Sequence, residues 1–392
     1  MASSVLTPVQ ERGRAALERL GLPTRRHEPW RLTNLKRLAA LADLPLSGEP
    51  TTRALPAIAP GVVRLVLDGR AHPLQDQALP EGVSLLKSTE LEQALGHTLD
   101  RCGCAEAWPV EFNHASSDQL LALRIRGKVP PLELVLSGGE GLVATRVLLV
   151  LEEKAELDLL EVVLAEGASA HSHVLEAHIG QEAVLRHGFL ATADGQSSLL
   201  THLAVEQEPR SSYCLTSVVT GWSLGRVEPR VVQADGQAET TLKGLAVTSA
   251  DQQLATHTAV RFDGPEGELD QLQKCLASGQ SHTIFNGAID VPRVAQRTNA
   301  AQLSRNLLLS SQARVDTKPE LEIVADDVRC AHGATVSQLQ EDELFYLQSR
   351  GIAASEAAAL LLRGACQEVI EQLPASAQAW QPLNRVMGSL QP

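Results

Sequence analysis

The hydrophobic pattern of the chain first predicts a short amphipathic helix near the N-terminus. Thr7 and Gln10 form a capping-box pattern, with Pro8 at the first helical position. Apolar residues then recur at helical spacing, and Gly21 ends the helix. Residues 45–60 are rich in Pro, Ser, Thr and Gly, which is typical of a connection. Up to about residue 135 the pattern indicates a mixed, partly helical region.

From about residue 140 to 340 the pattern changes to short β-type runs separated by turn residues. Val147, Leu149 and Leu151 fall on one face of a strand. Leu157 and Leu159 alternate with Glu156 and Asp158. Many short strands without crossover helices favour an all-β core over a doubly wound sheet. A sandwich, a barrel and a β-helix all fit this pattern, and without a strict repeat the periodicity does not select among them.

The helical pattern returns after the β-type region. One helix is predicted over 341–350, ending at Gly351, and a second near Ser355 that stops at Pro374. The apolar stripe of the second helix has two interpretations, which are packing within this chain and docking of another protein. The chain is therefore divided into residues 1–135, 136–340 and 341–392.

Composition narrows the classes of function. The 392 residues are 44% hydrophobic and 21% charged, which is typical of a folded globular protein. A net charge of −13 disfavours nucleic acid as a partner. Apolar runs are far too short for a membrane span. Six scattered cysteines suit reduced thiols, and without a signal-type N-terminus the expected location is the cytoplasm.

The most concentrated candidate for chemistry is the pair Cys330 and His332. In a strand, residues two apart share a face, so the thiol and the imidazole would point to the same side. Both groups are ligands for soft or borderline metals such as iron. Two ligands do not complete a cluster, so further ligands would come from elsewhere in the fold or from another subunit.

An alternative metal site uses His171, His173 and His282. The segments around these histidines resemble parts of the two cupin metal motifs, although the glycine and glutamate are misplaced and the two segments lie far apart. Such a site would make the chain a metalloenzyme that works alone. Nucleotide hydrolysis is not expected, because the sequence lacks a phosphate-binding loop of the Gly-rich, Lys-Ser/Thr type.

Four segments carry a resemblance to a known family: residues 28–35, 278–287, 318–339 and 343–352. Together they resemble the SufB/SufD family of subunits of the SUF iron-sulfur cluster assembly system. The SufD branch fits better than the SufB branch, because residues 329–334 read Arg-Cys-Ala-His-Gly-Ala where SufB has a Val-Glu-His-Glu-Ala type run.

The resemblance implies a right-handed parallel β-helix flanked by N-terminal and C-terminal helical regions. It implies a non-catalytic scaffold subunit that pairs with SufB, docks the ATPase SufC and self-associates as a homodimer when isolated. It also implies no tightly bound cofactor, but a transient Fe-S cluster or iron shared with SufB, with His332 as the first candidate ligand and Cys330 as the second. The expected SufC-docking residues lie in the C-terminal helices: Leu344, Phe345, Leu347, Arg350, Leu362, Val369 and Ile370.

Overall fold

The computed structural model describes residues 2–47, 54–69, 74 and 78–390. Part of the predicted connection 45–60 lies outside these residues. The helices are α1 Ala2–Leu20, α2 Leu35–Ala42, α3 Ser88–Ala94, α4 His97–Arg101, α5 Trp108–Ser116, α6 Glu341–Ser349, α7 Ala354–Ile370 and α8 Pro382–Ser389. Short 3-10 helices cover Glu28–Trp30 and Ala375–Trp380.

The first helix differs from its prediction at one end. It begins at Ala2 rather than at Thr7, so the predicted capping box is wrong and Pro8 lies inside the helix. Proline has no backbone N–H, so the helix lacks one hydrogen bond to the carbonyl four residues earlier at this position. The predicted end is confirmed, because Gly21 follows the last turn with φ of 62° and its N–H donates to the Leu17 carbonyl at 2.8 Å.

The core of the molecule consists of two nine-stranded sheets. The strands are β1 Val63–Leu67, β2 Val83–Leu85, β3 Gln119–Ile125, β4 Leu132–Ser137, β5 Gly141–Leu151, β6 Glu156–Leu164, β7 Ser169–Ile179, β8 Val184–Thr192, β9 Ser198–Gln207, β10 Ser212–Thr220, β11 Leu224–Gln233, β12 Glu239–Thr248, β13 Gln253–Phe262, β14 Glu268–Ala277, β15 His282–Val291, β16 Asn299–Leu308, β17 Arg314–Ile323 and β18 Arg329–Ser337.

Successive strands of the β region alternate between the two sheets, so the chain winds as a parallel β-helix. One sheet has the order β1-β4-β6-β8-β10-β12-β14-β16-β18, and the other runs from β17 through the odd-numbered strands to β3 and β2. The all-β core and the helices at both ends of the chain are thus confirmed. The division at residues 135 and 340 stays a prediction, since strands of the same sheets run from Val63 to Ser337.

Alternating side chains build the interior of the β-helix. Leu215 pairs in register with Leu242, and both are buried in a continuous apolar cluster between the sheets. Burial of each such leucine contributes about 1.5–3 kcal/mol. The length of a turn varies along the helix, because Ser212 aligns with Glu239 whereas Glu268 aligns with Asn299. This variation explains why the sequence shows no strict repeat.

Helices from the two ends of the chain cover the outer faces of the two sheets. Trp30, Trp108 and Phe112 of the N-terminal region pack on the outer side of β5, β7, β9 and β11. In the C-terminal region, α7 and α8 pack on the outer side of the other sheet, with Val369 and Trp380 buried. None of the helices in the described part of the chain has the length and apolar character of a membrane span.

The two ends of the β-helix differ in how they are finished. At the first end, β2 pairs antiparallel with β3 and interrupts the parallel stack. At the other end, β17 pairs only with β15 and β18 pairs only with β16 among the described strands. Apolar side chains are exposed here: Ile323 at 42%, Val324 at 48% and Val336 at 46%. The last turn therefore presents two open sheet edges.

Candidate ligand site at the open end of the β-helix

Cys330 and His332 lie on the last strand, β18, next to the open end. The strand register aligns Cys330 with Ala300 and His332 with Gln302, and both of these partners are buried. Cys330 packs against the interior apolar cluster. Because residues two apart in a strand share a face, His332 lies on the same inward-facing side of β18 as Cys330, and Gln302 precedes it in the row of aligned residues across the strands. Their role as ligands stays a prediction.

The two candidate ligands differ in their surroundings. Burial raises the pKa of the Cys330 thiol, with a smaller opposing contribution from a backbone hydrogen bond at Ala300. At neutral pH the thiol is therefore protonated until a metal displaces the proton. The His332 imidazole is exposed. Among the described residues, no group of three or more His, Cys, Asp or Glu side chains could hold a metal ion.

The polar side chains behind His332 have no signal in the sequence pattern. Gln271 and Gln302 occupy the two preceding positions of the same inward-facing row, and both are buried. Gln302 Nε2 donates to Gln271 Oε1 at 2.9 Å, and Gln271 Nε2 donates to Thr258 Oγ1 at 2.7 Å. Only the strand register shows that these residues lie in one row.

The structure does not bring His171, His173 and His282 together. His171 and His173 lie on β7 with their side chains fully buried, whereas His282 lies on β15, with its Nε2 2.6 Å from Asp316 Oδ2 on the outer face. Four strand spacings separate β7 from β15, which is roughly 19 Å. The single metal site that the three histidines would form is therefore absent from the described structure.

Two of the interior histidines instead surround a buried glutamate. Glu161 Oε1 lies 3.0 Å from His173 Nε2, and Glu161 Oε2 hydrogen bonds with His187 Nε2 at 2.9 Å. Thr145 and Tyr213 hydrogen bond with the outer nitrogens of the two rings at 2.9 and 3.2 Å. Burial alone raises the pKa of Glu161, but attraction to His173 and His187 outweighs it and lowers the pKa to about 2. This network lies inside the middle turns.

The predicted docking residues fall into two groups. Val369 is fully buried against the sheet, and Leu362 and Ile370 are partly buried in the same cluster. On α6, by contrast, Leu344 and Leu347 are half-buried, whereas Phe345 and Arg350 are exposed, Phe345 at 73%. The apolar stripe of α7 thus serves packing within this chain, and α6 carries the accessible part of the predicted docking surface.

Comparison with known proteins gives the family. The sequence profile described as "SUF system FeS cluster assembly, SufBD core domain" matches residues 134–365, more than half of the chain. The chain belongs to the SufBD family. It is 31% identical to the iron-sulfur cluster assembly protein SufD of Escherichia coli strain K12 over 94% of this chain and 90% of that protein. The resemblance seen in the sequence segments is thereby confirmed.

Two further relatives match part of the chain. An iron-sulfur cluster assembly SufBD family protein of Synechocystis is 35% identical over 59% of this chain, and the chloroplastic protein ABCI7 of Arabidopsis thaliana is 38% identical over 62%. The chain spans about half the length of these two curated relatives, 54% and 52% respectively. It is thus a SufBD family protein of the SUF iron-sulfur cluster assembly system.

Proposed function

We propose that this SufBD family chain is a non-catalytic scaffold subunit that assembles a transient iron-sulfur cluster at the boundary with SufB. The observation that carries the proposal is the open last turn of the β-helix, where β17 and β18 have unpaired edges among the described strands. A second β-helical subunit could continue both sheets and satisfy those backbone groups. The exposed side chains of Ile323 and Val336 would then be covered.

In this proposal His332 supplies an imidazole ligand to iron, and Cys330 assists it from the same face of β18. The nascent cluster is the cargo of the complex, and SufB contributes the remaining ligands. The raised pKa of Cys330 disfavours a free thiolate before iron arrives. An isolated chain would pair its open end with a second copy.

The proposed surface for SufC includes α6. Phe345 and Tyr346 are 73% and 57% exposed, and the Arg350 guanidinium lies 5.3 Å from the centre of the Tyr346 ring. Exposed aromatic and arginine side chains are characteristic anchors of protein interfaces. The neighbouring Leu344 and Leu347 would form the half-buried base of this surface. ATP hydrolysis would then belong to SufC.

The test is anaerobic reconstitution of the complex of this chain with SufB and SufC, comparing His332→Ala with wild type. Iron and acid-labile sulfide are measured per complex, and assembly is followed by size-exclusion chromatography. We expect an intact complex with several-fold less cluster. His97→Ala is the matched control, because His97 is also an exposed histidine, with 56% of its side chain accessible, but lies on α4. Unchanged cluster content in His332→Ala would refute the ligand assignment.

A further inference from the structure

We propose that Gln302 is a positioning residue for His332. Its amide oxygen accepts a hydrogen bond from one imidazole nitrogen and leaves the other nitrogen facing the open end of the β-helix. This inference rests on the proposed ligand role of His332 and adds the group that orients the ring. It is carried by three features of the last turns: a directional hydrogen-bond chain, the strand register and a glycine that makes room for the Gln302 side chain.

The hydrogen-bond chain leaves one free acceptor at its outer end. Gln302 donates its Nε2 to Gln271, the preceding residue of the row, at 2.9 Å, and Gln271 donates its Nε2 to Thr258 of β13 in the opposite sheet at 2.7 Å. Gln302 Oε1 is buried and accepts no hydrogen bond from the described residues. A buried acceptor without a partner is costly, so an unused one close to a proposed site is informative.

The strand register makes His332 the next side chain in this row. Gln271 aligns with Gln302 across β14 and β16, and Gln302 aligns with His332 across β16 and β18. The imidazole is exposed in this structure, so the acceptor is in place before the ring turns inward. Once another chain covers the open end, the imidazole loses its contact with water and can donate a hydrogen bond to Gln302 Oε1.

Gly287 provides the space in which the Gln302 amide lies. It belongs to β15 in the opposite sheet, and a Cβ at this position would overlap Gln302 Nε2 and approach the end of the Phe285 ring. Any larger residue would therefore displace the amide. Gly244 also lies against a buried glutamine, because it aligns with Gln273 on the next strand of the same sheet and its Cβ would overlap the Gln273 side chain. The pair supplies a matched test.

An acceptor fixed behind a histidine determines which nitrogen binds metal. A neutral imidazole has one N–H donor and one nitrogen with a free lone pair. When the N–H is held by a carbonyl oxygen, the tautomer and the ring orientation are set, and the other nitrogen becomes the better ligand. Loss of such a partner lowers metal affinity about 10-fold to 100-fold in known metal sites.

The experiment compares Gln302→Met and Gln302→Glu in the assembled complex with SufB and SufC. Methionine keeps the approximate size but removes the acceptor, and glutamate keeps an acceptor oxygen. We expect about 10-fold less iron and sulfide per complex with Gln302→Met, and recovery of most of it with Gln302→Glu. In the His332→Ala background, Gln302→Met should cause no further loss, because its effect passes through the imidazole.

The outcomes separate this inference from the proposed function. If His332→Ala lowers cluster content and Gln302→Met does not, the positioning role is refuted and the ligand role stands. If the two losses multiply in the double variant, the positioning role is also refuted. If His332→Ala has no effect, the ligand role itself fails. Should Gln302→Met not assemble, Gly287→Ala against Gly244→Ala provides the same comparison, with a selective loss of cluster expected only for Gly287→Ala.

Discussion

The middle turns of the β-helix and its last turn share one strand pattern but place different side chains at equivalent positions. In one inward-facing row, Leu215 and Leu242 are followed by Gln271, Gln302 and finally His332. The leucines are buried in the apolar cluster, whereas His332 is exposed. The same backbone geometry thus supports apolar packing in the middle and unsatisfied polar groups at the end.

Along the axis of the β-helix, the middle turns thus contribute mainly to stability and the last turn mainly to the proposed function. In the middle, Glu161 has its partners within the chain, His173 and His187. Not every interior group there is paired, because both ring nitrogens of His171 lack a hydrogen-bond partner among the described residues. At the end, a buried amide oxygen and two sheet edges lack partners among the described residues. Substitutions in the middle turns should accordingly change the free energy of unfolding, whereas substitutions in the last turn should change cluster assembly.

The largest expected effect is the loss of the buried carboxylate in the middle turns. Glu161→Ala leaves two buried imidazoles facing a cavity, and each buried polar group that loses its partner costs about 1–3 kcal/mol. Glu161→Gln keeps the shape and a hydrogen-bonding group, so it should cost less. Glu322→Ala on β17 is the control at the open end, where an exposed side chain is expected to change stability by less than about 0.5 kcal/mol. Urea unfolding of each variant gives the comparison.

A similar cost for Glu161→Ala and Glu322→Ala would contradict the distinction between the two regions. A cost for Glu161→Gln as large as that for Glu161→Ala would have a narrower meaning. It would show that the charge itself, rather than packing and hydrogen bonding, stabilises the interior of the middle turns.

The next effect compares the cost in stability of truncating two apolar residues that both occupy inward-facing strand positions. Leu242→Ala in the middle creates a cavity among buried neighbours and should cost about 2–5 kcal/mol. Val336→Ala at the open end removes a side chain that is already 46% exposed, so we expect less than about 1 kcal/mol. Chemical unfolding of the isolated chain measures both. Equal costs would mean that a second copy of the chain already covers the last turn.

The sequence predicted the elements better than their arrangement. The alternation of Leu157 and Leu159 with Glu156 and Asp158 correctly indicated a strand, because a half-apolar pattern with a period of two residues has few other solutions. Gly351 correctly marked the end of a helix, with φ of 84° after the last turn. The β-helix itself needed the family resemblance, since turns of unequal length conceal the repeat.

The candidate site was predictable only in part. Cys330 and His332 stood out because two metal-binding residue types share one strand face. Gln302 did not, because a single glutamine in a polar β segment has no pattern of its own and becomes informative only beside Gln271 in the register. The apolar stripe containing Val369 was ambiguous for a similar reason. Hydrophobic periodicity shows that a helix face is covered, but it does not show which surface covers it.

The effect that is smallest at neutral pH is the change in the free energy of unfolding with pH, in which the two regions should also differ. Burial, with a further contribution from His173, lowers the pKa of His171 to about 3, well below the ordinary value of 6.5. In the unfolded chain this imidazole takes up a proton near its ordinary pKa, whereas in the folded chain it stays neutral. Its contribution to stability is therefore complete above pH 6.5 and declines as the pH falls toward 3.

We expect His171→Phe to make the free energy of unfolding less dependent on pH within that window, by about 1.4 kcal/mol per pH unit. The ring centres of His171 and Trp222 lie 6.0 Å apart in an edge-to-face contact. Phenylalanine can keep this contact. The buried His202 and His257, whose pKa values burial lowers to about 4 and about 3, should leave a residual slope in the variant. Urea unfolding at a series of pH values compares His171→Phe with the wild type. If His171→Phe and wild type have the same slope, the ring in the middle turns is already protonated in the folded state, and the contrast between a dry interior and a solvated end is wrong.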